Sequence, residues 1–209
     1  MKKVFLSASF PDPARTEESG PFHSADIAAA TSAVVEATLR ANANLIFGGH
    51  PTISPLVLHV AAMLNSGSQV TIYQSEYFER HLTREVRRLV ESEEAQLVFT
   101  KRGPDLTTSL RILRQAMFSS LPDVGFFIGG MSGVKEEFEL LSSANSQAAC
   151  IAFRTPGGAA SRLQEQVSRS SPDSAIVDPI MLEGRAYGSL AMRTLSKLGV
   201  GVPRQSDEF

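Results

Sequence analysis

Three pairs of adjacent glycines carry the clearest chemical signal in this sequence, because each pair lies where a predicted strand ends and a helical pattern is about to begin. Leu45-Ile46-Phe47 runs into Gly48-Gly49, Phe126-Phe127-Ile128 runs into Gly129-Gly130, and Phe153-Arg154-Thr155 leads through Pro156 to Gly157-Gly158. Glycine lets the backbone approach a ligand closely and adopt positive φ, and the N–H groups that begin a following helix attract anions. Although one such pair is also what a tight turn requires, three pairs predict a site for a phosphate-bearing, nucleotide-like ligand.

Polar side chains beside these turns are candidate ligand contacts. His50 follows the first glycine pair and is either a ligand contact or an ordinary loop histidine. Ser7 and Ser9 close the first apolar run, and their hydroxyl groups are suited to hydrogen bonds with phosphate or ribose. Arg111 and Arg114 are three residues apart on one helical turn, so they either reach a phosphate or lie on the surface.

The turn after the second glycine pair combines backbone N–H groups with an acid. Glu137 comes four residues after Gly133, close to the start of the next predicted helix. There it either binds or acts on a ribose, or simply stabilises the positive end of the helix dipole. The predicted ligand-binding set, in which Glu137 is catalytic only if the protein is a hydrolase, is Ser7, Ser9, Gly48, Gly49, His50, Arg111, Arg114, Gly129, Gly130, Met131, Ser132, Gly133 and Glu137.

The elements that must position these residues follow from the alternation of short apolar runs with longer amphipathic segments. The runs predict strands at residues 4–7, 45–47, 70–73, 96–100, 124–128, 149–153 and 175–177. The segments predict helices at residues 25–40, 55–64, 78–92, 106–118, 134–145, 159–167 and 185–198.

Regular alternation of this kind predicts an α/β fold. We expect a single doubly wound, Rossmann-like domain over residues 1–202, with a mainly parallel sheet and helices on both faces. Gly48-Gly49 and Gly129-Gly130 should then end neighbouring strands at the same edge, where open α/β sheets bind their ligands. Residues 11–23, with three prolines, and the polar tail 203–209 are expected to be flexible.

Composition excludes several classes of protein. Hydrophobic residues make up 43% of the 209 residues and the formal charge is -2, which is typical of a globular protein. We predict no nucleic-acid partner, because no basic stripe is present, and no membrane partner, because no apolar stretch approaches the roughly 20 residues that span a bilayer. A single cysteine and the spacing of the four histidines argue against a disulfide framework, a metal site or a cofactor bound through one. A cytoplasmic location fits this composition.

The segment from Gly129 to Glu137 resembles the glycine-glycine-x-glycine-threonine-x-x-glutamate signature of the lysine-decarboxylase-like LOG phosphoribohydrolases and of the wider SLOG superfamily. Residues Leu45 to Pro55 resemble the strand and glycine turn on the other side of the SLOG pocket. Together with Phe5 to Pro11, these segments look most like the nucleotide-sensing SLOG domains of bacterial conflict systems. The resemblance spans residues 3 to 155.

Departures from that signature bear on activity. One extra residue lies between Gly130 and Gly133, and Val134 stands where the enzymes have a threonine that bonds phosphate. Leu113 aligns with an expected arginine unless a gap moves Arg114 into its place. The resemblance therefore implies a sensor that binds a nucleotide or an NAD-derived ligand. The alternative is a hydrolase of the nucleotide N-glycosidic bond, in which Glu137 is the catalytic acid or nucleophile.

Two other classes are weaker. The opening Phe5-Leu6-Ser7 suggests an enzyme similar to nucleoside deoxyribosyltransferases or to NAD-cleaving TIR domains, but no matching motif supplies its catalytic glutamate. A Rossmann dehydrogenase is disfavoured because the first strand is not followed by GxGxxG.

The resemblance also implies partners. A sensor needs an effector, which we expect to be a separate protein. SLOG proteins commonly pair through helices near the pocket, so a homo-oligomer is expected, with the apolar helix from Leu110 to Phe118 as its candidate surface.

Overall fold

A computed structural model describes residues 1–82, 84–91, 95–163 and 184–201. Within them one sheet contains six strands, all parallel: β1 (Lys3–Ser9), β2 (Asn44–Gly48), β3 (Val70–Ser75), β4 (Gln96–Thr100), β5 (Val124–Gly129) and β6 (Ala149–Ala152). Their order across the sheet is β4-β3-β2-β1-β5-β6. The predicted Rossmann-like α/β fold with a parallel sheet is confirmed.

Helices connect successive strands and cover both faces of the sheet. The described α-helices are α1 (Thr16–Ser19), α2 (Ser24–Arg40), α3 (Ser54–Met63), α4 (Arg84–Glu91), α5 (Leu106–Ser119), α6 (Ser132–Ala144) and α7 (Tyr187–Lys197). Short 3-10 helices occupy Pro13–Arg15, Gly67–Gln69 and Glu76–His81.

Alternating side chains of the strands divide the core between the two faces. On one face Val4 and Leu6 of β1 pack with α2, α3 and α7, whereas on the other Phe5 packs with α5 and α6. The Phe5 ring lies 4.8 Å from that of Phe118 and 6.1 Å from that of Phe127, in edge contacts. Because helices cover both faces, β5 is buried throughout and reads as a continuous apolar run.

The apolar side of α5 belongs to this core. Leu113, Met117 and Phe118 are buried against the sheet and α6, so most of the surface that we expected to pair two copies is already covered within one chain. The helix reads as an interface candidate in sequence because an apolar stripe looks the same whichever surface it packs against.

The predicted helix at residues 78–92 is divided. A 3-10 helix begins directly after β3, where the Ser75 hydroxyl accepts a hydrogen bond from the Tyr77 N–H. Leu82 then has an extended backbone, with φ −59° and ψ 131°, before α4 begins at Arg84. Charge and apolar spacing continue across this break, which is why the sequence pattern missed it.

Residues 11–23, which we predicted to be a loop, instead contain helical turns. The Asp12 carboxylate accepts a hydrogen bond from the Ala14 N–H, and α1 follows. Phe22 pairs with Gly157 in an antiparallel bridge. The predicted strand at 175–177 and the tail at 203–209 lie outside the described residues, as does the predicted helix at 159–167 beyond residue 163.

The chain reverses its direction of travel across the sheet at β1, which has β2 on one side and β5 on the other. Gly48-Gly49 and Gly129-Gly130 therefore end strands at the same edge, as predicted, but the strands are not direct neighbours. The carboxyl end of β1, with Ser7 and Ser9, lies between the two turns. Such a reversal point is where open α/β sheets form their binding crevice.

No described helix has both the length and the apolar character that crossing a membrane requires.

Candidate functional site

A polar cavity of about 330 Å³ opens at the carboxyl ends of β1, β2 and β3, beside the start of α6. Most residues of the predicted ligand-binding set line it, namely Ser7, Ser9, Gly48, Gly49, His50, Arg114, Met131, Ser132, Gly133 and Glu137. Residues separated by up to 130 positions in the chain thus meet at one site because parallel strands all deliver their ends to the same edge.

Glu137 lies at the centre of the hydrogen bonding in this cavity. The Ser7 hydroxyl donates to Glu137 Oε2 over 2.5 Å, and Arg114 Nε lies 3.5 Å from Oε1. Burial raises the pKa of the Glu137 carboxyl, and the Ser7 hydrogen bond and the Arg114 charge act in the opposite direction. A carboxyl group held in this way is suited to bind sugar hydroxyls, and its raised pKa also brings proton transfer within reach.

Arg114, rather than Leu113, is the arginine of the site. Its Nη1 donates to Glu136 Oε2 and its side chain is only 13% exposed. Leu113 packs beneath it, where a Cβ on Gly48 would lie 3.6 Å from the Leu113 side chain. The fold therefore favours the alignment with a gap, in which Arg114 takes the place of the arginine of the LOG enzymes.

Gly133 explains how Arg114 reaches the start of α6. A Cβ on Gly133 would lie 2.7 Å from Arg114 Nη2, so the guanidinium occupies the space that any side chain would need. Nη2 makes no hydrogen bond to another described residue, and it lies beside the N–H groups that begin α6. A positive side chain and a helix N-terminus together form a site for an anion.

The second glycine pair shapes this turn without lining the cavity. Gly129 and Gly130 have φ of +64° and +71°, and the Gly130 N–H donates to the Ser9 carbonyl over 2.8 Å. A Cβ on Gly130 would overlap the side chain of Val134, which is buried in the first turn of α6. The two glycines are therefore required by the backbone geometry and by Val134.

Arg111, Gly129 and Gly130 are the three members of the predicted set that do not line the cavity. The Arg111 side chain is exposed. Its charge helps to lower the pKa of the Asp105 carboxyl, although the backbone hydrogen bond from Thr108 is the largest cause. Spacing on a helix puts Arg111 and Arg114 on one side of α5, but only Arg114 lines the cavity.

His50 faces the cavity from the turn after β2. Its Nδ1 lies 2.9 Å from the Thr52 hydroxyl, and its backbone N–H donates to Ser54 Oγ over 3.0 Å. Burial lowers the pKa of the imidazole, so His50 is neutral at physiological pH and offers a hydrogen bond rather than a charge.

Sequence reasoning missed two residues of the site. Arg15, on the 3-10 helix before α1, lines the polar cavity and pairs with Glu18, whose carboxylate also receives a hydrogen bond from Ser132. Gln74, near the end of β3, is 7% exposed and lines the same cavity. Arg15 had no signal because its segment read as a loop. Gln74 did have a signal in the sequence, since its amide follows Val70 and Ile72 on the same, otherwise apolar, side of the strand.

A second cavity of about 780 Å³ adjoins the first. Five residues line both, namely Gly49, His50, Gln74, Phe78 and Leu110. Its remaining walls are mostly apolar and come from β3, the 3-10 helix at Glu76–His81, and α4. Together the two cavities have a polar end and an apolar end, which is the division that a nucleotide requires.

The third glycine pair supports the site from outside. Gly157 and Gly158 line neither cavity and have φ of +76° and +69°. The Gly158 N–H donates to the Pro21 carbonyl, and the next residue, Ala159, donates to the Gly130 carbonyl over 2.9 Å. The sequence pattern groups this pair with the two other glycine turns, but the pair joins the segment before α2 to the glycine turn of α6.

Within the described ranges, no group of three or more His, Cys, Asp and Glu residues is placed to hold a metal ion.

Comparison with protein families matches residues 21–181 to the model of the SLOG cluster 3 family. The match covers β2 to β6 and both glycine turns of the site. A search of curated proteins found no match.

Proposed function

Because this chain belongs to the SLOG cluster 3 family, we propose that it binds a nucleotide or an NAD-derived ligand and acts as a sensor of that ligand. The observation that carries the proposal is the position of Arg114. Its guanidinium is fixed by Glu136 and Glu137 so that Nη2 faces the N-terminus of α6 inside the polar cavity.

The phosphate group of the ligand is assigned to the space between Arg114 Nη2 and the turn from Met131 to Gly133. Met131 caps α6 without any side-chain hydrogen bond, so the first N–H groups of the helix are left for an anion. Arg15 supplies a second positive charge to the same cavity, since it pairs with Glu18, which accepts a hydrogen bond from Ser132. A phosphate bound there would compete with Glu18 for Arg15 and for Ser132.

The ribose is assigned to Glu137, Ser7 and Ser9. The hydroxyl groups of Ser7 and Ser9 lie at the end of β1, and the Glu137 carboxylate of α6 accepts a hydrogen bond from Ser7. All three groups lie beside the proposed phosphate position. Carboxylates commonly accept hydrogen bonds from ribose hydroxyls in nucleotide sites. If a sugar hydroxyl replaces Ser7 as the hydrogen-bond donor to Glu137, one hydrogen bond is exchanged for another at little cost in binding free energy.

Two features favour binding over hydrolysis. Val134 places methyl groups where a threonine would offer a hydroxyl to phosphate, and those methyl groups fill the space above Gly130. The Ser7 hydroxyl and the Arg114 guanidinium also hold the Glu137 carboxyl group in place, and its remaining lone pairs are suited to accept hydrogen bonds from sugar hydroxyls.

One observation favours the second candidate function, a hydrolase of the nucleotide N-glycosidic bond. The contact between Arg114 and Glu137 provides the arginine–glutamate pair that the resemblance to the LOG enzymes requires. The raised pKa of Glu137 suits a general acid.

Incubation with a panel of nucleoside monophosphates and NAD-derived compounds distinguishes the two functions, with a thermal shift and chromatography of the products as readouts. A sensor at ligand concentrations 100 times the dissociation constant gains about 2.7 kcal/mol of stability and leaves the ligand intact. A hydrolase releases free base, and Glu137→Gln stops the release while the thermal shift persists, because an amide keeps the hydrogen-bonding shape but cannot transfer a proton. Base release by the wild type that Glu137→Gln abolishes would replace the sensor by the hydrolase. If no compound of the panel changes the melting temperature and none is consumed, both functions are contradicted.

We extend the proposal to the setting of the sensor. The resemblance to sensor domains of bacterial conflict systems suggests defence signalling in the cytoplasm, with a separate effector protein and a homo-oligomeric sensor. With the apolar side of α5 covered, pairing of copies would have to use another surface.

A further inference from the structure

We propose that the second cavity holds the heteroaromatic base of the ligand and that the Gln74 amide reads the polar edge of that base. The inference rests on the proposed function, since it places the base relative to the phosphate site at α6. It adds the residue that distinguishes a complete nucleotide from its sugar phosphate.

Gln74 is a largely buried residue whose amide opens to the two cavities. It is 7% exposed, and its side chain makes no hydrogen bond to any other residue in the described part of the chain. Because the amide is not among the fully buried polar atoms of the described residues that lack a partner, it can be reached from the cavities and is available to a ligand. The amide lies where both cavities meet, so a bound ligand can reach it from either side.

The strand fixes the direction of Gln74. Side chains alternate along β3, so Gln74 shares a face with Ile72, which also lines the second cavity. The neighbouring strand end is held to β3 by a 2.7 Å hydrogen bond from the Gly49 N–H to the Tyr73 carbonyl. The position of the amide is therefore set by the sheet rather than by a loop.

Gly49 makes room for this amide. A Cβ on Gly49 would lie 3.2 Å from Gln74 Cδ and Nε2 and 3.3 Å from Oε1, closer than ordinary packing allows. The backbone of Gly49 does not require glycine through positive φ. Absence of a side chain at residue 49 instead lets the Gln74 amide lie flat beside the strand end, at the junction of the two cavities.

The walls beyond Gln74 suit a flat ring. Ile72, Leu82, Val86 and Leu110 are apolar, and Tyr77 and Phe78 form an edge-on ring pair with centroids 5.1 Å apart. Mostly apolar walls with a few polar groups, here the Gln74 amide with His50 and Ser54, are typical of a site for a heteroaromatic ring. The amide oxygen accepts and the amide nitrogen donates, so one glutamine can bond an adjacent donor and acceptor of a base.

Calorimetric titration of adenosine, guanosine, cytidine and uridine 5′-monophosphates, each compared with ribose 5-phosphate, tests the assignment. For wild type we expect at least one nucleotide to bind about tenfold or more tightly than ribose 5-phosphate. Gln74→Leu should remove most of that advantage and leave the affinity for ribose 5-phosphate unchanged. Gln115→Leu, the same change at an exposed glutamine of α5, should leave all affinities unchanged.

Stability supplies an independent readout. Because the Gln74 side chain makes no hydrogen bond to another described residue, Gln74→Leu breaks none of them, and the melting temperature of the ligand-free variant should equal or exceed that of wild type. Any loss of binding is then not a folding defect. Equal binding of ribose 5-phosphate and every nucleotide to wild type, or an unchanged nucleotide advantage in Gln74→Leu, would overturn the base assignment and leave the phosphate site intact. Binding of none of the probes would overturn the base assignment together with the proposed function.

Discussion

Gly158→Ala is expected to lower the free energy of unfolding by about 2–4 kcal/mol, the sum of backbone strain and overpacking. Gly158 has φ of +69°, a conformation that alanine adopts only under strain. A Cβ there would lie 2.5 Å from the carbonyl carbon of Gly129 and 2.7 Å from its Cα and oxygen. Because these are backbone atoms of the glycine turn at α6, no side-chain rotation relieves the clash. Urea denaturation of both proteins measures the difference.

Gly188→Ala is the matched control. Gly188 lies in α7, has no heavy atom within 4 Å of its added Cβ, and is not in the positive-φ region. Alanine is the better helix former there, so the control should stabilise the protein by about 0.5–1 kcal/mol. A Gly158→Ala protein as stable as wild type would mean that the chain after β6 does not pack against the glycine turn.

Arg114→Met is expected to weaken binding of the nucleotide that the panel identifies by about 1.5–3 kcal/mol, the scale of a hydrogen bond to a charged group. Methionine keeps most of the length of the side chain but removes the charge opposite the α6 N-terminus. Loss of that charge also leaves Glu136 and Glu137 near the phosphate position without their cation. Calorimetric titration with the variant and with wild type measures the loss.

Arg111→Met is the control for Arg114→Met. It makes the same chemical change three residues away on α5, at a side chain that is exposed and does not line the cavity. Its affinity should equal that of wild type. If Arg114→Met binds as tightly as Arg111→Met, the phosphate is held by the backbone N–H groups of the turn alone, and Arg114 serves only to position Glu137.

Much of the fold follows from short-range pattern. Strands such as β2 and β5 are apolar over several residues and run into glycine turns, and helices such as α2 and α5 keep an apolar stripe over their whole length. Such signals lie within a window of a few residues. They do not reveal the break in the predicted helix at residues 78–92, where Leu82 has an extended backbone within a continuous pattern of charged and apolar residues.

The predicted site residues lie together most clearly where one segment supplied several of them. The turn from Met131 to Gly133 and the acid at Glu137 form one continuous motif, and the fold brings them to one cavity. The reasons for the glycines were only partly foreseen. Gly129 and Gly130 do adopt positive φ, whereas Gly49 does not and makes room for the Gln74 amide instead.

Contacts between segments that are distant in the chain could not be predicted from the local sequence pattern. Leu113 and Arg114 both line the cavity, and the rotation of α5 against the sheet decides that Leu113 packs into the core while Arg114 reaches Glu136 and Glu137. Arg15 reaches the cavity only because the segment before α2 folds back beside Ser132. Gly157 and Gly158 look like a third ligand turn in sequence, and only the packing of their backbones on Pro21 and Gly129 assigns them a structural role.

The structure of a complex with the tightest-binding nucleotide tests the central claim most directly. We expect its phosphate oxygens within hydrogen-bonding distance of Arg114 Nη2 and of the N–H groups of Met131 to Gly133, with the ribose beside Glu137. A nucleotide bound elsewhere, or a phosphate in the apolar second cavity with the α6 turn empty, would contradict the account.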